Sequence, residues 1–270
     1  MASVDSKSLS HGVPPAPAVR FLAHHFGNQA QQFDAGKLGM WLFLVQEVLF
    51  FSGLFCAYAI YRSNHPDIFA YADHFLDRNL GAINTGVLIF SSFTMAWAVR
   101  SVQLNQRRLA VFLLGITFLC ACGFLGIKFV EYRHKWHDGL LWGSHYAPVT
   151  EALEHAEAAE GLVPPRPAPS AAALLNDDAD VHYATPQQVP SRPHPVPKNV
   201  HIFFGIYFAM TGLHGIHVLI GMGIILWMMR RTWRGDFSAE YFGPMEFTGL
   251  YWHLVDLVWI YLFPLLYLIH

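Results

Sequence analysis

Toward its C-terminus the chain reads Tyr251-Trp252-His253-Leu254-Val255-Asp256-Leu257-Val258-Trp259, with an imidazole and a carboxyl three residues apart in an otherwise apolar, aromatic string. Residues three apart share a helical face. Polar groups at bilayer depth are costly, and they persist where they meet protein, water or a partner. A second string, from His201 to Val218, adds His214 and His217, which share a face with Gly221. Gly205, Ala209, Gly212 and Gly215 narrow that helix so that another can come close. His214, His217 and His253 are therefore expected to meet near one helix pair. Neutral imidazole ligates both haem and metals, so a bound haem or metal is one reading. The other is a hydrogen-bonded packing network of His, Asp, Tyr and Trp, in which each buried polar group needs a partner.

Glu47 is the third chemical feature. It stands near the middle of Gly39-Met40-Trp41-Leu42-Phe43-Leu44-Val45-Gln46-Glu47-Val48-Leu49-Phe50-Phe51-Ser52-Gly53. A carboxylic acid in mid-membrane reads as a proton-responsive or partner-contacting group, or else as a hydrogen-bonding acid between helices. Gln46, its neighbour, points about 100° away on a helix.

The elements that must position these groups are membrane helices. The chain is 54% hydrophobic and only 13% charged, against about 25% charged for a soluble domain. Five stretches, about 37–62, 81–101, 108–131, 200–230 and 245–269, have the roughly 20 apolar residues that a hydrocarbon core requires. Each is expected to be helical, since an open sheet cannot satisfy its backbone in lipid. The predicted class is an all-α membrane protein, a bundle of five transmembrane helices. Basic residues set the orientation. Arg100, Arg107 and Arg108, then Arg230, Arg231 and Arg234, fall on the side of the N-terminal segment 1–36, where Lys37 adjoins the first span. The positive-inside rule makes that side cytoplasmic and puts the C-terminus outside. Residues 1–36 lack the pattern of a cleavable signal, so insertion is expected to begin at the first span. Lys128 and Glu131 end the third span, close enough to the interface for Lys128 to snorkel. Pro264 is expected to kink the fifth near its outer end.

A net charge of −2 gives no reason to expect a nucleic-acid partner. Cys56, Cys120 and Cys122 lie in apolar segments and read as buried thiols; Cys120-x-Cys122 is too short-spaced for a zinc or iron–sulfur signature. The outside loop, about 132–199, opens with Trp136 and Trp142 as interfacial aromatics. Thr150–Glu160 suits a short acidic helix capped by Thr150. Residues 164–198 are rich in Pro and Ala and cannot bury a core. From Arg133 to Lys198 there are five basic and eight acidic residues, which fits a solvated linker or a contact for a basic partner.

These strings together resemble subunit III of the haem–copper respiratory oxidases, above all of cytochrome c oxidase. Glu47 stands where that family has its carbodiimide-reactive glutamate. Asn84-Thr85 is similar to its Asn-Thr helix start, and Glu131-Tyr132 to its Glu-Tyr or Glu-Trp pair. Gly212-Leu213-His214-Gly215-Ile216-His217-Val218 resembles its Gly-Phe-His-Gly-Leu-His-Val string, and Trp252 to Trp259 its Trp-His-x-Val-Asp-x-Val-Trp signature. The resemblance implies a non-catalytic subunit of the bacterial plasma membrane that packs on subunit I. It implies support of proton uptake and stability during O2 reduction, with phospholipids held in the complex. Haem and copper are expected in partner subunits, alongside a subunit II and cytochrome c as donor. No catalytic residue and no metal ligand is implied in this chain. The site candidates are Glu47 for proton or partner contact, and His214, His217, His253, Asp256 and Glu131 for a buried polar network. Two departures stand out. The two N-terminal helices of the seven-helix mitochondrial form are missing, and the 132–199 loop is longer than the family's link.

A quinol oxidase subunit III or a nitric oxide reductase accessory protein fits the same strings. A secondary transporter with Glu47 and Asp256 as coupling acids is a different class, but no internal repeat or broken helix is visible to favour it.

Overall fold

The computed structural model describes residues 22–73, 75–137, 139–140 and 199–268. Its helices are α1 (Gln29–Asn64), α2 (Pro66–Asp73), α3 (Arg78–Gln103), α4 (Arg107–His137), α5 (Val200–Arg234) and α6 (Gly243–Tyr267). All but α2 are long and apolar enough to cross a membrane. Among the described residues there is no strand; Ser238 and Tyr241 form an isolated bridge in the α5–α6 connection.

The helices outrun the apolar stretches that mark them. α1 begins at Gln29 rather than near 37, because the Asn28 side chain accepts from the Gln31 N–H at 2.8 Å and caps its start. At 1.5 Å per residue α1 is about 54 Å long, against a hydrocarbon core of about 30 Å. Its polar ends therefore extend past the apolar layer. Asp77 caps α3 by accepting from the Asn79 and Leu80 N–H groups. Gly235 ends α5 at φ 83, the left-handed conformation that glycine adopts without penalty. α4 continues to His137 instead of stopping at 131, so the expected loop starts later than 132. The readings for Trp142, Thr150–Glu160 and 164–198 lie outside the described residues. α6 runs through Pro264 to Tyr267.

α3, α4, α5 and α6 form a closed ring in which each packs on its two neighbours, with α1 laid against the α5–α6 seam. Half of the apolar window of α6 is buried, against 22% for α1, so α6 anchors the bundle and α1 is its outrigger. The short helix α2, which periodicity does not foretell, crosses α1 and α5. Its fully buried Phe69 wedges between Tyr58 and Phe203, with ring centroids 5.1 Å from each.

The bundle turns apolar side chains outward. Phe129 (70%), Leu119 (68%) and Leu42 (65%) are exposed, while Ser91, Thr94, Thr117, Thr211 and Asn84 are buried. Lipid is as apolar as leucine, so packing and interhelical hydrogen bonds hold such helices together. The Thr94 and Thr117 hydroxyls bond across α3 and α4 at 2.8 Å. Tyr58 on α1 donates to the Leu265 carbonyl on α6. The cysteines follow the same rule. Cys56 and Cys122 are exposed and Cys120 is half-buried, so these thiols are not core groups but face outward as small apolar side chains.

Candidate functional site

The three histidines do not converge; each is held in a different environment. The reason is packing. Bulky rings of α6 fill the space between α5 and α6 that the small residues of α5 seemed to leave for imidazoles. The close approach occurs at Gly221, where an added Cβ would stand 2.8 Å from the Trp252 ring. At Gly215 it would meet nothing within 4 Å.

His217 faces α1. Its Nε2 lies 3.1 Å from Glu47 Oε2, and its Nδ1 is 2.9 Å from the Leu213 carbonyl one turn earlier. A carbonyl only accepts, so Nδ1 carries hydrogen. Nε2 and Oε2 at 3.1 Å therefore share one proton, either as carboxyl to imidazole or as imidazolium to carboxylate. Tyr251 donates to the His217 carbonyl at 3.0 Å, tying α6 to the same turn. Phe51 packs edge-on against the imidazole at 5.2 Å. Glu47 is thus partnered, midway along α1, and Gln46 beside it is exposed. The pair borders a groove of about 500 Å³ between α1, α5 and α6, lined among others by Met40, Phe43, Ile220, Trp227 and Tyr251.

His253 turns the other way. Its Nδ1 bonds the Ser92 hydroxyl on α3 at 2.6 Å, and Trp252 beside it donates from Nε1 to Ser91 Oγ at 3.1 Å. About two turns on, Trp259 donates to Thr85 at 3.1 Å. Asp256 is buried near the Ser91 and Ser92 hydroxyls but makes no hydrogen bond of standard geometry with them. His214 is wholly buried between Phe124 and Trp259, at centroid distances of 5.5 and 5.2 Å, with no hydrogen bond at either nitrogen. Hydrogen bonds thus engage His217 and His253, while His214 and Asp256 make none of standard geometry.

The densest polar cluster sits where α4 ends, α5 begins and α6 ends. Lys128 does not snorkel; its side chain is 7% exposed and turned into the bundle. It donates to Glu131 Oε2 at 2.8 Å, to Tyr267 at 2.8 Å and to Tyr207 at 3.2 Å. Lys135 donates to Glu131 Oε1 at 3.1 Å, and both tyrosine hydroxyls reach the same oxygen at 2.7 and 2.6 Å. The Lys128 ammonium also lies 4.9 Å from the Trp259 ring centroid, a favourable cation–π distance. Glu131 was a candidate on sequence; Lys128, Lys135, Tyr207 and Tyr267 were not. The signal existed, because Lys128, Glu131 and Lys135 are spaced three and four apart on one helical face. Among the described residues no group of three or more His, Cys, Asp or Glu side chains could hold a metal.

The protein-family model described as Cytochrome c oxidase subunit III matches residues 20–146 and 192–270. The chain belongs to that family. The match passes over 147–191, which takes in most of the Pro- and Ala-rich stretch 164–198. The chain is 25% identical over 256 residues to the cytochrome bo(3) ubiquinol oxidase subunit 3 of Pseudomonas aeruginosa, covering 91% of this chain and 92% of that one. It is 26% identical over 244 residues to the quinol oxidase subunit 3 of Bacillus subtilis (88% and 90%). It is 29% identical over 237 residues to the cytochrome c oxidase subunit 3 of a Synechocystis species (87% and 76%). Family membership makes the chain a subunit of a respiratory oxidase complex, and with five membrane-spanning helices it is a multi-pass membrane protein.

Proposed function

We propose that this chain is the non-catalytic subunit III of a proton-pumping aerobic cytochrome c oxidase in a bacterial plasma membrane. It packs on subunit I and supports proton uptake and stability while that subunit reduces O2 to water. Haem and copper are carried by the partner subunits, subunit II completes the donor side, and phospholipid is held within the complex. The basic turn at Arg100, Arg107 and Arg108 faces the cytoplasm, and the connection between α4 and α5 and the C-terminus lie outside.

The observation that carries this reading is the Glu47–His217 pair. It is a hydrogen-bonded acid–imidazole couple midway along α1, the least buried of the spanning helices. Such a pair suits a supporting subunit that keeps a titratable group near a neighbour's proton path. A quinol oxidase is the second reading, favoured by the relatives from Pseudomonas aeruginosa and Bacillus subtilis that carry that description. The test is affinity purification of the tagged chain from its native membranes. O2 uptake by the recovered complex is then measured with reduced cytochrome c and with a quinol. Uptake with cytochrome c supports the first reading, and uptake with quinol alone moves the chain to the second.

A further inference from the structure

The polar cluster where α4 ends is short of negative charge. Among the described residues, Lys128 and Lys135 pair with one carboxylate, Glu131, at 2.8 and 3.1 Å. Two ammonium groups thus share a single countercharge. All three side chains are closed off, at 7%, 4% and 5% exposure. A charge so enclosed is costly unless it is both paired and hydrogen-bonded.

The hydrogen bonds show which lysine is short. An ammonium has three N–H donors. Lys128 uses all three, on Glu131 Oε2, Tyr267 and Tyr207. Lys135 uses one, on Glu131 Oε1 at 3.1 Å. That oxygen already accepts from the Tyr207 and Tyr267 hydroxyls at 2.7 and 2.6 Å. The Tyr207 ring lies 5.0 Å from the Lys135 ammonium, but it also lies 5.3 Å from that of Lys128. An aromatic ring attracts a cation through its quadrupole and brings no net charge. The carbonyl end of α4 favours a cation too, but only with about half a charge spread over the last turn. Two donors and one positive charge are left over at Lys135.

That remainder narrows the chemistry of what completes the cluster. Water accepts hydrogen bonds but adds no charge. An acidic side chain of a docking subunit would have to pass a surface that leaves Lys135 only 4% exposed. A monatomic anion needs little more room than a water molecule, carries the missing charge and accepts from both remaining donors. We propose that Lys135 binds a halide ion, chloride in ordinary media, as the counter-ion of the Lys128–Glu131–Lys135 cluster.

The test uses the full-length chain in nanodiscs of neutral lipid. It is melted, with circular dichroism as the readout, in sodium gluconate and in sodium chloride of equal ionic strength. Gluconate is too large for the enclosed site. Chloride should raise the melting temperature saturably, by about 5 °C at about 100 times its dissociation constant, and bromide should do the same. Lys135→Met, which removes the surplus charge, should melt alike in both salts. Crystals grown in bromide should show an anomalous peak beside Lys135 Nζ. Identical melting of the unaltered chain in the two salts overturns the proposal, and so does an equal chloride response in Lys135→Met. A bromide peak with no effect on melting is an adventitious ion only and overturns it as well. The rival countercharge is Asp138, three residues on in the sequence. Melting that ignores chloride but falls in Asp138→Asn assigns the role to that carboxylate instead. Every one of these outcomes leaves the subunit III reading untouched, because that is tested by co-purification and turnover.

Discussion

Replacing Glu131 by alanine removes the one carboxylate that Lys128 and Lys135 both address, at 2.8 and 3.1 Å. The two lysine side chains are 7% and 4% exposed, so water cannot take over. Breaking a buried ion pair by deleting one partner costs about 3–5 kcal/mol. The hydroxyls of Tyr207 and Tyr267 lose the acceptor they share, at about 1–3 kcal/mol for each group left unmatched. These terms overlap, and a loss of about 5 kcal/mol is the expected scale. That is a large share of the roughly 5–15 kcal/mol that holds a typical fold. The assay is unfolding of the purified chain in detergent, followed by circular dichroism. Glu131→Gln keeps an oxygen for the tyrosines and should lose less than Glu131→Ala. Lys135→Met leaves Lys128 and Glu131 matched one to one and should cost least of the three. A Glu131→Ala protein within about 0.5 kcal/mol of wild type, the range of ordinary surface changes, would refute the cluster as drawn.

Three further outcomes follow from particular contacts. Glu47→Ala and His217→Ala should each destabilise, and the double variant should cost no more than the worse single one by over about 1 kcal/mol, since both break one bond; additive losses in the same melts would deny the pairing. Gly221→Val should cost about 1–3 kcal/mol by overpacking against Trp252, whereas Gly223→Val, where a Cβ meets open space, should be near neutral; equal melting points would contradict the close approach. His253→Ala should lower stability by about 1 kcal/mol through the lost Ser92 bond, and the haem spectrum of the complex should keep its shape; a changed spectrum would mean that His253 acts on a redox centre.

Much of this arrangement is legible in the chain itself. The apolar stretches marked every spanning helix, because lipid leaves the backbone no alternative to the helix. Glu47, His253 and Asp256 were visible as polar residues in apolar strings. What sequence spacing could not supply was which helix each would face. His214 and His217, three residues apart on one helix, point to different neighbours, the first to Phe124 and Trp259 and the second to Glu47. That separation depends on α1 lying against the α5–α6 seam, a tertiary fact with no local signature. Lys128 was misjudged for a related reason. A lysine near a helix end snorkels by default, but Glu131, Tyr207 and Tyr267 offer it a closer partner inside. Helix α2 escaped notice because eight residues are too few to show a period.

The most direct test of the central claim is a visible spectrum with metal analysis of this chain purified alone, beside the complex that co-purifies with it. A colourless, metal-free chain drawn from a complex rich in haem and copper is the predicted result. Stoichiometric haem or metal in the isolated chain, or recovery of the native chain without any haem-bearing partner, would contradict it.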